Sequence, residues 1–323
     1  MENLGHDSWK ENFALSYENF FILNSERQKL CLYKWLPEYV EKAVGVVQIA
    51  HGMAEWAGRY NDFAEKLVEA GYIVYAHDHR GHGNTVKDIS SIGYLGKDSF
   101  NGMIEDIKLI NDLIREKHPN LPIILFGHSM GSFLAQGYIA LYGNSLKGVI
   151  FSGSNGDHGF ILNLGILIAK LQVLLSGEKA KSKLLSKITF GSYNKAFKPN
   201  RTPFDWLTRN TIEVDKYINN PYCGGIFTAS FYFDFFKGLK TLHKRKTISN
   251  IPKSLPVLII SGSMDPVGEF GKGVSRLFEL YHQHGFTDVT LKIYENARHE
   301  LLNEINKDEV TTDILQWIKD RTK

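Results

Sequence analysis

Cysteine is nearly absent from this chain. Cys31 and Cys223 stand far apart in dissimilar surroundings, too few for a disulfide framework and without the spacing of a thiolate metal site. Both are expected reduced. A charge excess of one sign is also missing: 38 Lys and Arg face 35 Asp and Glu, a net charge of +3. Without a dense basic stripe, nucleic acid is excluded as a main partner. The one basic run, HKRK at 243 to 246, reads as a solvated helix end, with contact to anionic lipid headgroups as the alternative. No apolar run reaches the ~20 clean residues of a membrane span. The longest, at 159 to 175, is interrupted by Asn163, Lys170 and Gln172 and reads as an amphipathic helix. The opening MENLGHDSWKEN lacks the basic segment and apolar core of a secretory leader, so a cytoplasmic location is expected. No internal repeat or low-complexity tract is present.

What is there is an alternation of strands and helices, the pattern of an α/β fold with a mostly parallel sheet covered on both faces. NFFIL (19 to 23) and KLCLYKW (29 to 35) form an opening hairpin around NSERQ. Continuous apolar runs of strand length follow at 43 to 50, 72 to 76, 123 to 127, 146 to 154, 256 to 263 and 289 to 295. Helical spacing connects them at about 60 to 70, 100 to 117, 132 to 143 and 309 to 321. Between Ser154 and Ile251 the rhythm stops. That interval holds helix formers and aromatics, including PFDW and FYFDFF. The expected organisation is therefore a core of residues 1 to 154 and 251 to 323, with 155 to 250 inserted as a mainly helical cap.

Residues 76 to 83, AHDHRGHG, crowd His77, Asp78, His79 and His82 behind an apolar strand. Zinc hydrolases with His-x-His-x-Asp-His loops have similar spacing, but Gly81 stands where that motif needs its Asp. The chemistry points elsewhere, to ILFGHSMGSFLAQ at 124 to 136: strand, then Gly127-His128-Ser129-Met130-Gly131, then helix. Gly-x-Ser-x-Gly in this context is a sharp strand-to-helix turn that exposes a nucleophilic serine, with glycines where side chains would collide. Ser129 then stands at a helix N-terminus, whose dipole favours developing negative charge.

A serine hydroxyl cannot attack an ester unaided, so an acid and a histidine must follow in that order, each beyond the carboxyl end of a later strand. Asp265 follows PVLIISGSM and His299 follows VTLKIYENAR. Asp288 precedes a strand and lies at the wrong sheet edge, and Glu269 is the fallback acid. His299-Glu300 does not begin a zinc-binding His-Glu-x-x-His, because the fifth residue is Asn303. Two backbone N–H groups are expected to hold the oxyanion, that of Met130 and that of Met53 in the loop His51-Gly52-Met53. His51 is read as a brace of that loop. No metal and no cofactor enter this chemistry.

With these motifs in place, the chain resembles the capped α/β-hydrolases of the monoacylglycerol lipase and lysophospholipase family. HGMAEWAGRY, DHRGHGNT, GHSMGS and the pair SGSMDPVG with ARHELLNE match in order across nearly the whole chain. The resemblance implies hydrolysis of single-chain lipid esters through an acyl-serine intermediate, without a metal, under a helical cap that receives the acyl chain. It assigns Glu55 and Arg59 to a polar headgroup pocket. Two departures bear on glycerol specificity: Trp56 replaces a histidine common in that motif, and Leu302 stands three residues beyond His299 where another is common. Phe231 and Phe235, with their aromatic neighbours, are candidates for an acyl tunnel or for the cap's own core. Asp78, Arg80 and His82 are expected to build a supporting loop, the first two as an ion pair and His82 bracing the neighbouring turns by hydrogen bonds. Alternatives are a short-chain carboxylesterase or serine aminopeptidase on the same scaffold, and a non-catalytic hydrolase-like binding module. Transient contact with a membrane surface through the cap is a further expectation.

Overall fold

The structure, a computed structural model, describes residues 16 to 323 apart from 158 and 160, so the opening segment read above as leaderless lies outside the described residues. The hairpin forms as expected: β1 (Ser16–Leu23) and β2 (Lys29–Leu36) pair antiparallel. Their turn is fixed by Asn24, whose side-chain oxygen accepts from the N–H groups of Glu26 and Gln28. The strands β3 (Gly45–Ala50), β4 (Tyr72–His77), β5 (Ile123–His128), β6 (Gly148–Ser152) and β7 (Val257–Gly262) are buried along their whole length. That is why their sequences are continuously apolar rather than alternating. The edge strand β8 (Val289–Tyr294) is half-buried. The order is β1-β2-β4-β3-β5-β6-β7-β8, with β2 antiparallel to both neighbours and every other pair beyond it parallel. This is the α/β-hydrolase architecture expected from the sequence.

The connecting helices are α1 (Asn61–Glu69), α2 (Ser99–Lys117) and α3 (Met130–Tyr142). Between β6 and β7 the chain forms α4 (Ile161–Ser176), α5 (Lys183–Phe190), α6 (Thr211–Asn219), α7 (Ala229–Leu242) and α8 (Arg245–Asn250). After β7 come α9 (Lys272–Gln283) and α10 (Lys307–Thr322). Successive strand residues face opposite sides: Ile124 and Phe126 pack with α1 and α10, and Leu125 with α2 and α3. Gln48, buried in the central strand, is satisfied by the Ile107 carbonyl and the Asn111 amide.

The inserted helices are not an independent unit. Phe231, Tyr232, Phe235 and Leu239 of α7 belong to the same hydrophobic cluster as Leu125 and Val149 of the sheet. Helix α7 packs on α2 and α3, while α4 packs mainly on α7. The cap therefore has an inner layer that shares the sheet's core and an outer layer, α4 and α5, that rests on it. Among the described residues no helix is long and apolar enough to cross a membrane.

Candidate active site

Parallel strands send all their carboxyl ends to one edge, and the chain changes direction between β3 and β5, which opens a crevice there. Ser129 sits at that point with φ 51° and ψ −117°, a conformation that costs on the order of 1–3 kcal/mol and must be held by its surroundings. The hold is visible. Its N–H donates to the Ser152 carbonyl at 2.9 Å, and its carbonyl accepts from Ser132 Oγ at 2.6 Å. A Cβ on Gly127 would lie 2.4 Å from the Gly131 carbonyl oxygen, and one on Gly131 would lie 2.0 Å from that of Ala50. Both flanking glycines are sterically obligatory.

Beyond β7 and β8, His299 Nδ1 lies 3.0 Å from each carboxylate oxygen of Asp265. Asp265 also accepts the Val267 N–H at 2.8 Å, which fixes the carboxylate toward the ring. Burial disfavours the charged imidazole, yet the Asp265 carboxylate outweighs it and raises the His299 pKa above its ordinary value. His299 and Ser129 line one cavity of about 320 Å³ whose apolar walls include Phe190, Phe204, Trp206, Leu207, Tyr217 and Ile226. Glu269 instead pairs with Arg276 at 2.7 Å, and Asp288 pairs with Arg321 at the opposite edge.

The loop after β3 brings Met53 to the same cavity. Its shape depends on Ala54, held at φ 59°, and on Glu55, whose carboxylate accepts the Gly52 N–H at 2.5 Å and the Tyr60 hydroxyl at 2.9 Å. From the cap, Tyr217 O–H and Gly224 N–H both donate to the Ala54 carbonyl at 3.0 Å. The N–H groups of Met53 and Met130 meet no protein acceptor among the described residues, so both remain free to donate.

Several sequence expectations change. Arg59 does not face the cavity. Its guanidinium bridges Glu55 at 2.7 Å and Glu300 at 2.7 and 2.6 Å, closing behind Glu55 a crevice of only about 20 Å³ that Leu302 also lines. Burial of Glu300 is opposed by Arg59, which holds its pKa down at about 2. Phe231 and Phe235 are buried in the core that the inner layer of the inserted helices shares with the sheet rather than on the cavity wall. Asp78 and Arg80 do not pair. Arg80 forks onto Asp106 at 2.8 and 2.9 Å and reaches Glu26 at 2.8 Å, while Asp78 accepts from Ala57 N–H, Tyr33 O–H and Asn84 N–H. The bracing attributed to His82 belongs to His79 and His51: His79 N–H donates to His51 Nε2 at 3.0 Å, and His79 Nε2 donates to the His51 carbonyl at 3.2 Å. His82 contributes packing, its ring 5.1 Å from His51 and 4.8 Å from Phe227, and its Nδ1 donates to the Arg80 carbonyl while Nε2 meets no partner among the described residues.

The cap supplies a residue that sequence reasoning did not single out. Trp206 lies over His299, ring centres 5.1 Å apart and 35° inclined, and the adjoining Leu207 carbonyl accepts the Glu300 N–H at 2.7 Å. Arg298 reaches the Asp205 and Thr208 carbonyls on the same segment. The PFDW motif marked the position, but nothing in its spacing tells that it pairs with a loop some ninety residues away.

Comparison with known proteins agrees with this geometry. The family profile described as serine aminopeptidase, S33, matches residues 41 to 306. The chain is 29% identical to human monoglyceride lipase over 311 residues, covering 93% of this chain and 90% of that protein. It is 28% identical to the monoacylglycerol lipase of Mycolicibacterium smegmatis, covering 88% and 90%. A thermostable carboxyl esterase from Bacillus coagulans, solved with glycerol, superposes with a TM-score of 0.88 at 27% identity, covering 96% of this chain and all of that one.

Proposed function

Since the chain belongs to the serine aminopeptidase S33 family of hydrolases, we propose that it cleaves single-chain lipid esters through an acyl-serine intermediate. The observation that carries this reading is the shared cavity: Ser129, His299 and the Met53 loop line one chamber together with Phe190, Phe204, Trp206, Leu207, Tyr217 and Ile226. Ser129 attacks the ester carbon while His299 accepts its proton, later returned to the alcohol that leaves. Asp265 fixes the ring and stabilises the imidazolium. The N–H groups of Met53 and Met130 stabilise the tetrahedral oxyanion, each contributing roughly 3 kcal/mol. Water activated by His299 then releases the acid.

A peptidase acting on free amino termini needs a carboxylate with oxygens free for the ammonium group. All four carboxylate oxygens of Glu55 and Glu300, the acids lining the cavity, are already engaged by Gly52, Tyr60, Arg59 and Asn303, which favours the ester reading. The relatives named monoglyceride and monoacylglycerol lipase support it as well. Access from a lipid surface is supported by the outer cap: Ile161, Leu164, Leu167, Leu171, Leu174 and Leu175 of α4 and Leu184 and Ile188 of α5 are all exposed, Leu175 at 85%. Such a stripe fits transient insertion at a membrane interface.

The test is twofold. A fluorophosphonate must label wild-type protein and spare Ser129→Ala, and p-nitrophenyl esters must be hydrolysed faster as the acyl chain lengthens from acetate toward octanoate. A sharp preference for acetate replaces this reading with a short-chain esterase. Absence of labelling replaces it with a non-catalytic module.

A further inference from the structure

Glu300 stands next to His299 in the chain and takes no part in the proton transfers. It is 5% exposed, yet every polar group it has is used. Its N–H donates to the Leu207 carbonyl of the cap at 2.7 Å, and its own carbonyl accepts from the Asn303 N–H at 2.9 Å. Its Oε1 accepts from Arg59 at 2.7 Å, and its Oε2 accepts from Arg59 at 2.6 Å and from the Asn303 side chain at 2.9 Å. A buried carboxylate stays charged only when it is paired and fully bonded, and Arg59 supplies the pairing. The same guanidinium reaches Glu55 Oε2 at 2.7 Å and lies 5.0 Å from the ring of Tyr217 on α6. One cation therefore ties three segments together: the loop after β3, the loop carrying His299, and the cap.

The tie ends at the oxyanion donors. Glu55 has one oxygen on Arg59 and the other on the Gly52 N–H at 2.5 Å and the Tyr60 hydroxyl at 2.9 Å. Gly52 precedes Met53, whose N–H is free to donate, and a Cβ on Gly52 would lie 3.2 Å from the Ser129 Cβ, so this peptide runs directly beside the nucleophile. Glycine has no side chain to restrict its own torsions; the direction of the Gly52–Met53 peptide is set from outside, by Glu55. Without Glu300, Arg59 loses its bonds to both oxygens of that carboxylate and keeps the one to Glu55. A guanidinium freed in this way closes its fork on the carboxylate that remains, which draws Glu55 Oε1 off the Gly52 N–H. We infer that Glu300 is a positioning residue for hydrolysis: through Arg59 it holds Glu55 on the Gly52 N–H and so keeps the Met53 N–H where the oxyanion forms. The inference rests on the acyl-serine reading and is independent of acyl length and of the alcohol.

The measurement pairs the kinetics of p-nitrophenyl butyrate hydrolysis by the full chain with the affinity of two ketones of one acyl length. The carbonyl carbon of a trifluoromethyl ketone bonds Ser129 Oγ while the serine proton passes to His299, leaving a tetrahedral oxyanion; the matching methyl ketone is held without that adduct. Glu300→Leu should lower kcat about 10²-fold, as for a misplacement of about 1 Å, with KM little changed. It should weaken the trifluoromethyl ketone by a similar factor and leave the methyl ketone as it was. Glu300→Gln keeps one acceptor for Arg59 and should lose less, about 10-fold. Stability is separated by Arg59→Met with Glu300→Met, which removes the buried pair whole and leaves Glu55 charged as before. That protein should melt no lower than Glu300→Leu, yet its kcat stays low because nothing fixes Glu55. Wild-type kcat in Glu300→Leu or in the double variant, a loss confined to KM, or a loss of affinity shared equally by both ketones overturns this inference alone. No ester hydrolysis and no trifluoromethyl ketone adduct in wild type overturns it together with the acyl-serine reading.

Discussion

Two sets of buried histidines occupy the same edge of the sheet and behave in opposite ways. His51, His77, His79 and His82 are fully buried and stand ring against ring, with centres 4.3 to 6.1 Å apart. His299 is 2% exposed. In the cluster, burial pushes the pKa of His51, His77 and His82 down to about 3 and that of His79 well below its ordinary value, with neighbouring rings adding to the effect. For His299 burial acts in the same direction and is overcome by Asp265. The difference is one carboxylate. Asp78 sits among the cluster residues in sequence, but its oxygens are taken by Tyr33, Ala57 and Asn84. Burial makes an imidazole a neutral structural ring, and a fixed carboxylate turns the same ring into a proton acceptor.

The largest effect follows from erasing that carboxylate. Asp265→Asn leaves His299 buried next to His128, whose ring is 4.7 Å away, with the supporting charge gone. The rate of ester hydrolysis should fall about 10⁴-fold, as for loss of an orienting aspartate in a serine triad. The pH profile carries the sign. In wild type the folded pKa lies above 6.5, so active neutral base accumulates only as pH rises through a value above 6.5. In the variant that limb moves below 6.5, toward the values of the cluster. A limb that stays in place removes Asp265 from the assigned role.

Trp206 tests the same contrast through geometry rather than charge. It covers His299 from the cap, where Phe190 and Tyr193 in turn back the indole. Trp206→Ala leaves the ring free to move, and misplacement by about 1 Å costs on the order of 10²-fold. The loss should fall mainly on kcat, with Trp206→Phe recovering most of it. A change confined to KM makes Trp206 a wall of the substrate cavity and nothing more.

The sequence was informative wherever chemistry is local. Five buried strands, the Ser129 turn and the order of Asp265 and His299 follow from apolar runs and loop residues within a few positions of each other. Helix α9, which the sequence reading above does not include, carries an equally local signal, since Val274, Leu277 and Tyr281 are buried at helical spacing. Long-range choices were not legible. Arg80 finds Asp106 on α2 rather than Asp78 two residues away, because the loop turns Asp78 back onto the backbone N–H of Asn84. Arg59 is claimed by Glu300 across 241 positions, which no motif records. The aromatic run in α7 reads the same whether it lines a tunnel or a core, and only packing against α2 and α3 decides for the core.

The smallest expected effect at neutral pH comes from the cluster itself. Neither ring nitrogen of His77 meets a protein partner, and its ring contacts His79 edge-on at 4.5 Å. His77→Phe keeps an aromatic ring and removes two unpaired polar atoms, so unfolding free energy at pH 7 should change by less than about 1 kcal/mol. Acid separates the two proteins. A histidine whose folded pKa is depressed stabilises fully above its unfolded pKa of about 6.5, and that contribution is lost as pH falls toward 3, by up to about 1.4 kcal/mol per pH unit for each ring. His51, His77, His79 and His82 act together in this window, joined by His128 with a pKa lowered to about 4. Asp78, raised to about 6 by burial, opposes them between its unfolded value and 6, as does Asp234, also raised by burial, but the buried histidines outnumber them. Wild type should therefore lose stability steeply between pH 6.5 and 4 in urea titrations, and His77→Phe should lose it less steeply by one ring's share. Equal slopes for the two proteins mean that His77 is protonated without unfolding, and the cluster is then open to water rather than a sealed structural core.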